Sequence, residues 1–448
     1  MKNRDLEAAW AYHNGTKHFY QSIRTNPHYL DWENQPIPFK IYSTLQPTPL
    51  PQHLSPSGMA ALEAISVRSA QDGSHHVPNS ESLAQILYLS AGITKRRSYP
   101  GGGEILFRAA ACTGALYHID LYLICGDLPG LEAGVYHFGP HDFALRRLRA
   151  GDYRGNLVRT SGSEPAIISA PAIIICASTF WRNAWKYQAR AYRHCYWDNG
   201  TILANLFAAA AAAKVPARLV LGFVDDAVNG LLGLDPEREG ALSLVALGDI
   251  AAMTPEPALE VEPLTFETVP LSKREIDYPA IRAMHAASSL ESEEEVVAWR
   301  GQPPLRLHPS SLNPSEGRLF PLRPLSDHED SGDTIEEVIL RRGSTRQFSH
   351  EAITFSQFST MLHRATGGIP ADFLAAGAPP LNDLYLIVHA VDDLPAGAYV
   401  FHRDSLALEL LKEGQFRQQA GYLGLGQEIP ADASVDVFFL SDLHPILE

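Results

Sequence analysis

Apolar residues run without a polar break from Ala172 to Ala177 inside PAIIICASTF (Pro171 to Phe180), the pattern of a buried strand. SVDVFFLSDL (Ser434 to Leu443) keeps apolar side chains at alternating positions, which also predicts a strand. ESLAQILYLSAGI (Glu81 to Ile93) and SQFSTMLHRATGGI (Ser356 to Ile369) instead read as short amphipathic helices that end at glycine. DNGTILANLFAAAAAAK predicts a helix from Asp198 to Lys214, with Asp198 as its N-cap in preference to a chemical role. Strands are expected at ARLVLGF and GALSLVALG, which follow it.

The same order of patterns occurs twice. DLYLICGDLPGLEAGVYHFGPHDFALRRL, from Asp120, aligns without a gap on DLYLIVHAVDDLPAGAYVFHRDSLALELL, from Asp383, at a constant offset of 263 residues. Tyr122 meets Tyr385, Gly134 meets Gly397, Tyr136 meets Tyr399, Phe138 meets Phe401 and Arg154 meets Arg417. Two copies of one α+β unit follow, each reading helix, helix, glycine-rich loop, strand, turn, strand, strand, helix. The expected division is an N-terminal extension over 1–58, repeat one over 59–254, a proline- and acid-rich connector over 255–324, and repeat two over 325–448. In the connector ESEEEVVAW (Glu291 to Trp299) is the expected helix, and Pro36 to Gly58 has too much proline for regular structure and is expected to lie extended over the surface. The offset carries Lys186 one residue past Glu448, so repeat two is expected to be C-terminally incomplete.

Charge narrows the functions open to this chain. With 36 basic against 51 acidic side chains, a formal charge of -15 disfavours a nucleic-acid partner. Cys112, Cys125, Cys176 and Cys195 show no CxxC spacing, so neither a disulfide framework nor a metal site is expected, and a reducing cytoplasm fits best. No apolar run has the length of a membrane span, and the N-terminus has no signal-like apolar core. HExxH, GxSxG and Walker-type sequences do not occur. His75 and His76 lie together in a polar loop, which points to solvent more than to metal.

Chemistry concentrates in WKYQARAYRHCYWDNG, Trp185 to Gly200. Lys186 and Tyr187 can donate and accept protons, and Arg190 and Arg193 share a helix face from which they could lower the pKa of a lysine. Arg341, Arg342, Ser344 and Arg346 in RRGSTRQF gather guanidiniums and a hydroxyl, the donor set a phosphate needs. Thr113, Gly114 and Ala115 are small enough to let backbone amides approach a flat ligand. Asn205 reads equally as a satisfied buried amide or as a ligand contact.

The Lys-Tyr segment with RAYRHCYWDNGTILANLFAAAAA, RAAACTGALYHIDLYL (Arg108 to Leu123) and RRGSTRQF together resemble the SagB-type dehydrogenases of the nitroreductase superfamily. These flavin enzymes oxidise azolines to azoles in thiazole- and oxazole-modified peptides. The resemblance covers most of the chain from about Met59. It implies a nitroreductase-like α+β fold in which two tandem repeats form an intramolecular pseudo-dimer, with FMN between the halves. It implies Lys186 and Tyr187 as catalytic residues. Arg341, Arg342, Ser344 and Arg346 are implied as the phosphate site, and Thr113, Gly114 and Ala115 as the flavin loop. Leu221 and Gly222 are implied as backbone contacts near flavin N5. In repeat one only Arg68 and Ser69 remain of the phosphate motif, and ACTGALYH departs from the family loop at Ala111, Cys112 and His118. One competent site per chain is therefore expected.

The function expected is hydride transfer from a peptide or small molecule to FMN, with a peptide-modifying enzyme as a partner and further homo-oligomerisation left open. One alternative is an NAD(P)H-dependent reductase of quinones or nitro compounds. The other is a non-catalytic binding partner that holds no flavin.

Overall fold

The computed structural model describes every residue except 1–4, 26, 67–75, 100–103, 250–256, 301–316, 327–331, 374–379 and 448. Its strands in chain order are β1 (Pro47–Pro49), β2 (Ile93–Ser98), β3 (Glu104–Arg108), β4 (Ile119–Cys125), β5 (Gly134–Gly139), β6 (Ala144–Ala150), β7 (Ala172–Thr179), β8 (Ala217–Val220), β9 (Glu239–Leu247), β10 (Leu319–Pro321), β11 (Asp383–Val388), β12 (Gly397–His402), β13 (Ala407–Glu413) and β14 (Val435–Leu440). They form a seven-stranded sheet in the order β1-β6-β5-β4-β7-β9-β8, a five-stranded sheet in the order β10-β13-β12-β11-β14, and the ribbon β2-β3. The architecture is α+β, with the helices packed against antiparallel sheets.

The offset of 263 residues read from the sequence recurs in the backbone. It carries β5 onto β12, β6 onto β13, and the helices Arg154–Thr160 and Pro165–Ser169 onto Arg417–Leu423 and Glu428–Asp432. A β-bulge after Val135 recurs after Ala398. Phe143, in the turn between β5 and β6, has φ 51°, and Leu406, at the same place in the second sheet, has φ 48°. Both turns need one left-handed residue, and packing holds a side chain there that would avoid that conformation in isolation. Tyr136 Oη donates to Glu132 O at 2.8 Å, and Tyr399 Oη to Pro395 O at 2.6 Å. Arg154 and Arg417 each tie a short helix to its following strand through the carbonyls of Ala170 and Ala433.

The sheets differ at one edge. β7 is paired on its outer side by β9, which is paired by β8, and a core packs on each of its faces, with Ile174 and Cys176 entering one and Ile173 and Ile175 the other. That double burial explains the unbroken apolar run of the sequence. β14 pairs only with β11 among the described residues, and Phe439 on it stays 67% exposed.

A helix that precedes the second sheet in the chain packs into the core of the first. Ile335–Arg341 begins with a capping box between Thr334 and Glu337, and Ile335 and Ile339 enter the core formed by β4, β7 and the helices Ser80–Ala91 and Ala191–Ala212. Backbone bonds fix the junction, from Ala61 N to Asp333 O at 2.9 Å and from Ile335 N to Met59 O at 3.0 Å. Buried Glu336 accepts from Gln85 Nε2 at 3.0 Å and from Ser57 N at 2.8 Å.

Three expectations change. The alanine-rich helix runs from Ala191 to Ala212, so Asp198 lies inside it and caps nothing. The connector holds a second helix, Pro279–Ser288, besides Glu293–Arg300. The arm over Pro36 to Gly58 is extended, but it buries Phe39, Lys40, Tyr42 and Leu50 and supplies β1, because its prolines sit at a sheet edge where a missing N–H costs nothing.

Candidate active site

Asp198 is the hub of the cluster at the start of β4. The helix Ala191–Ala212 presents it, 4% exposed, to the turn Thr113–Ala115. Its Oδ1 accepts from Thr113 Oγ1 at 2.8 Å and from Thr113 N at 3.0 Å. Its Oδ2 meets His118 Nε2 at 2.8 Å and accepts from Cys112 Sγ at 3.1 Å. Burial by itself would raise the pKa of this carboxyl; the hydrogen bond and charge of His118, with Thr113 and Cys112, outweigh it and bring the value below the usual one. His118 is fully buried and turns Nδ1 to Ser178 Oγ at 2.9 Å. The sequence placed His118 only as a departure from a family proline; the structure makes it the clamp between β4, β7 and the long helix.

The turn itself lies against the Lys-Tyr segment. Gly114 has φ 67°, and a Cβ there would stand 2.9 Å from Tyr187 Oη, so glycine is needed both for the backbone and for the approach. Tyr187 closes the helix Phe180–Tyr187, after which Gln188 at φ 51° turns the chain into the long helix. Burial, then the charges of Asp198 and Cys112, push the Tyr187 phenol up, so at neutral pH it holds its proton. Lys186 Nζ lies 5.6 Å from the centroid of the Tyr187 ring. His194 meets the same ring edge-on at 4.5 Å and shares a 2.7 Å hydrogen bond with Asn183 Oδ1. Burial, then Arg190, lowers its pKa to about 4.

Arg190 and Arg193 do other work than expected. Arg190 donates to Thr16 O at 2.7 Å, and Arg193 to His13 O at 2.8 Å and Thr16 Oγ1 at 3.0 Å, so both bind the N-terminal helix Leu6–Thr16. The break at Gln188 separates them from Lys186. Beneath the segment, Arg182 is fully buried and pairs with Asp120 through two hydrogen bonds while also donating to Tyr117 O at 2.9 Å. Although burial opposes it, the Arg182 charge holds the Asp120 carboxyl below the usual range. Thr179 Oγ1 bridges Asp120 to Glu239, which takes Lys40 Nζ at 2.6 Å.

The arginine motif follows the helix Ile335–Arg341. Arg342 Nη2 donates to Ala109 O at 3.2 Å, at the strand end that leads into Cys112 and Thr113. Arg341 pairs with Asp333 at 2.8 Å, Arg346 donates to Thr345 O at 3.4 Å, and Ser344 is exposed. The fold thus brings Arg342 to the Thr113 turn and leaves Ser344 and Arg346 open to solvent on the same stretch. Arg68 and Ser69 lie outside the described residues.

Leu221 and Gly222 have a separate set of partners. Their N–H groups donate to Asp372 Oδ1 and Oδ2 at 2.8 and 3.0 Å. Asp372 is held in turn by Arg300, which also donates to Ser161 O and Gly222 O and pairs with Glu164. These amides are satisfied within the chain and do not stand open beside Thr113.

An FMN cofactor meets a mixed fit. The Thr113 turn, with a glycine backbone that Tyr187 approaches closely, and the solvent-facing donors after Arg342 suit a flat ring with a phosphate tail. The Leu221 and Gly222 amides, closed by a carboxylate, offer such a ring nothing in this conformation.

No known family profile matches the sequence. A provisionally named nitroreductase of Methanocaldococcus jannaschii is 24% identical over 166 residues, covering 37% of this chain and 78% of the relative. The crystal structure of a provisionally named nitroreductase from Anabaena variabilis superposes with a TM-score of 0.73 at 24% identity, covering 97% of this chain and 85% of that one. A chain of the Escherichia coli microcin synthetase McbBCD complex with truncated pro-MccB17 aligns over 55% of this chain and 93% of its own, at 18% identity and a TM-score of 0.36. The fold is that of the nitroreductases, and no described helix is long and apolar enough to cross a membrane.

Proposed function

We propose that the chain is an FMN-dependent oxidoreductase of SagB type, which oxidises an azoline or a related C–N bond in a peptide or small molecule. In this reading two copies of one α+β unit form a pseudo-dimer, and one composite site takes its phosphate donors from repeat two and its loop from repeat one. The observation that carries it is the approach of Arg342 to Ala109, beside the turn whose Gly114 rests against Tyr187. FMN, when bound, supplies the hydride acceptor. Arg342, Ser344 and Arg346 would hold the phosphate, and the Thr113 turn would face the ring.

The remaining chemistry belongs to the chain. Tyr187 Oη, which keeps its proton at neutral pH, would donate a hydrogen bond to the substrate, and Lys186, reacting as the neutral amine, would take the proton from the carbon beside the C–N bond and become the ammonium. Asp198 and His118 hold the turn in place and touch neither substrate nor cofactor in this scheme.

The shared fold with nitroreductases supports a second reading, an NAD(P)H-dependent reductase of quinones or nitro compounds in which Lys186 and Tyr187 only shape the pocket. The deciding experiment is purification with a visible spectrum and release of FMN on denaturation, followed by azoline peptide and NADPH assays. FMN near one per chain with azoline oxidation supports the first reading, and rapid NADPH oxidation without it supports the second. A folded protein that neither retains nor takes up FMN overturns both and leaves a binding role.

A further inference from the structure

We propose that Cys112, His118 and Asp198 form a three-ligand site for a divalent cation of the zinc class, with one coordination position open to a small ligand. The three residues come from a loop, the residue before β4 and the middle of the long helix, and their ligand atoms all lie within 4.8 Å of one another. Thiol, imidazole and carboxylate are the groups zinc prefers.

The second observation is the support behind each ligand. His118 turns its other nitrogen, Nδ1, to Ser178 Oγ at 2.9 Å, which leaves Nε2 facing the cluster. Asp198 Oδ1 accepts from Thr113 Oγ1 at 2.8 Å, and Oδ2 meets His118 and Cys112 while also accepting from Thr113 N at 3.0 Å. Tyr117 N donates to Cys112 Sγ at 3.1 Å, a bond that steadies a thiolate. Outer partners of this kind orient the ligands of metal centres. Hydrogen bonds now draw the ligand atoms to 2.8 and 3.1 Å around Asp198 Oδ2. Metal–ligand bonds of about 2.0–2.3 Å in a tetrahedron need roughly 3.3–3.7 Å between ligand atoms, an opening of about half an ångström. On binding, the Cys112 proton leaves, His118 carries its N–H on Nδ1 toward Ser178, and the cation takes the place of the Cys112 and His118 hydrogens at Oδ2 while the Thr113 N–H stays.

The third observation is an adjoining cavity of about 10 Å³, lined by Cys112, Asp198, Tyr117 and Arg108. That volume is at the lower limit for one water, about 10–15 Å³. Arg108 is 4% exposed with Nε lacking a hydrogen-bond partner, so its charge favours hydroxide or another small anion at the open position. The sequence hid the set because Asp198 stands 80 residues beyond His118 and the cysteine lies outside any CxxC.

The test titrates Co²⁺ into the full-length, chelator-treated, flavin-free protein. One Co²⁺ per chain with a thiolate-to-cobalt charge-transfer band, displaced by Zn²⁺, is expected. Cys112→Ser should abolish the band and weaken binding at least tenfold. If Cys112→Ser fails to fold, Ser178→Ala should retain the fold and weaken binding roughly ten- to a hundredfold. Absence of the band, or Zn²⁺ affinity unchanged in a folded Cys112→Ser or Ser178→Ala protein, would overturn the proposal. Because no flavin is present, either outcome leaves the oxidoreductase reading to its own test.

Discussion

Arg342 donates to the carbonyl of Ala109 at 3.2 Å, and this bond joins the arginine motif to the loop that carries Thr113 and Gly114. The capped helix Ile335–Arg341, buried through Ile335 and Ile339, delivers it there. Arg342→Ala should therefore weaken FMN retention roughly ten- to a hundredfold, as expected for loss of a charge-assisted phosphate contact. The thermal midpoint should stay near wild type, because the side chain is exposed. FMN release per chain, read beside the melting curve, checks it; unchanged flavin content would detach the motif from the cofactor.

Gly114 and Tyr187 provide a second test. Gly114→Ala places a methyl group 2.9 Å from Tyr187 Oη in a left-handed backbone, and should cost about 2 kcal/mol from the backbone and the contact together. Tyr187→Phe removes the hydroxyl, so the double variant should lose less than the sum of the single losses. Urea denaturation of the four proteins of this cycle measures the coupling, expected at about 0.5 kcal/mol or more. Strict additivity would mean that the turn and the tyrosine do not touch in solution.

Asp120 and Arg182 form a buried pair whose members cannot be removed separately. Arg182→Met should destabilise the protein by about 3–5 kcal/mol because it strands a carboxylate in the core. Replacing both by apolar residues of similar volume should restore part of that loss. Chemical denaturation of the single and double variants decides, and a mild Arg182→Met effect would show that water reaches Asp120.

His194 predicts the acid side of the stability profile. Its folded value is about 4, below the ordinary 6.5, so between these pH values the unfolded chain binds a proton that the folded chain refuses. Stability should fall as pH drops from about 6.5 toward about 4 and be unaffected by this group above 7. His137, fully buried and lowered to about 3, acts in the same direction. His194→Gln should flatten part of the slope in melting curves taken from pH 7 to pH 5; an unchanged slope would assign the loss to other groups.

Periodicity and self-comparison reached far into this fold. The central strands of both sheets and the constant offset could be read from local apolar patterns, since a buried strand writes its environment into neighbouring residues, whereas the proline-bearing edge strands β1 and β10 could not. The arginine motif and the Lys-Tyr pair stood out for the same reason, as dense local chemistry. What no local pattern could carry was pairing across the chain. Asp198 read as a helix cap because its neighbours favour one, yet its real partners, Thr113 and His118, lie 80 or more residues away. Arg190 and Arg193 read as neighbours of Lys186, and a single left-handed residue, Gln188, turned them toward the N-terminal helix. Leu221 and Gly222 read as open amides, and Asp372, about 150 residues further on, closes them. Sequence alone determined the elements and their repetition, because those depend on contacts between near neighbours and on one face of burial. Tertiary structure decided which polar groups meet, because a buried charge or donor is satisfied by whichever partner the packed elements bring to it.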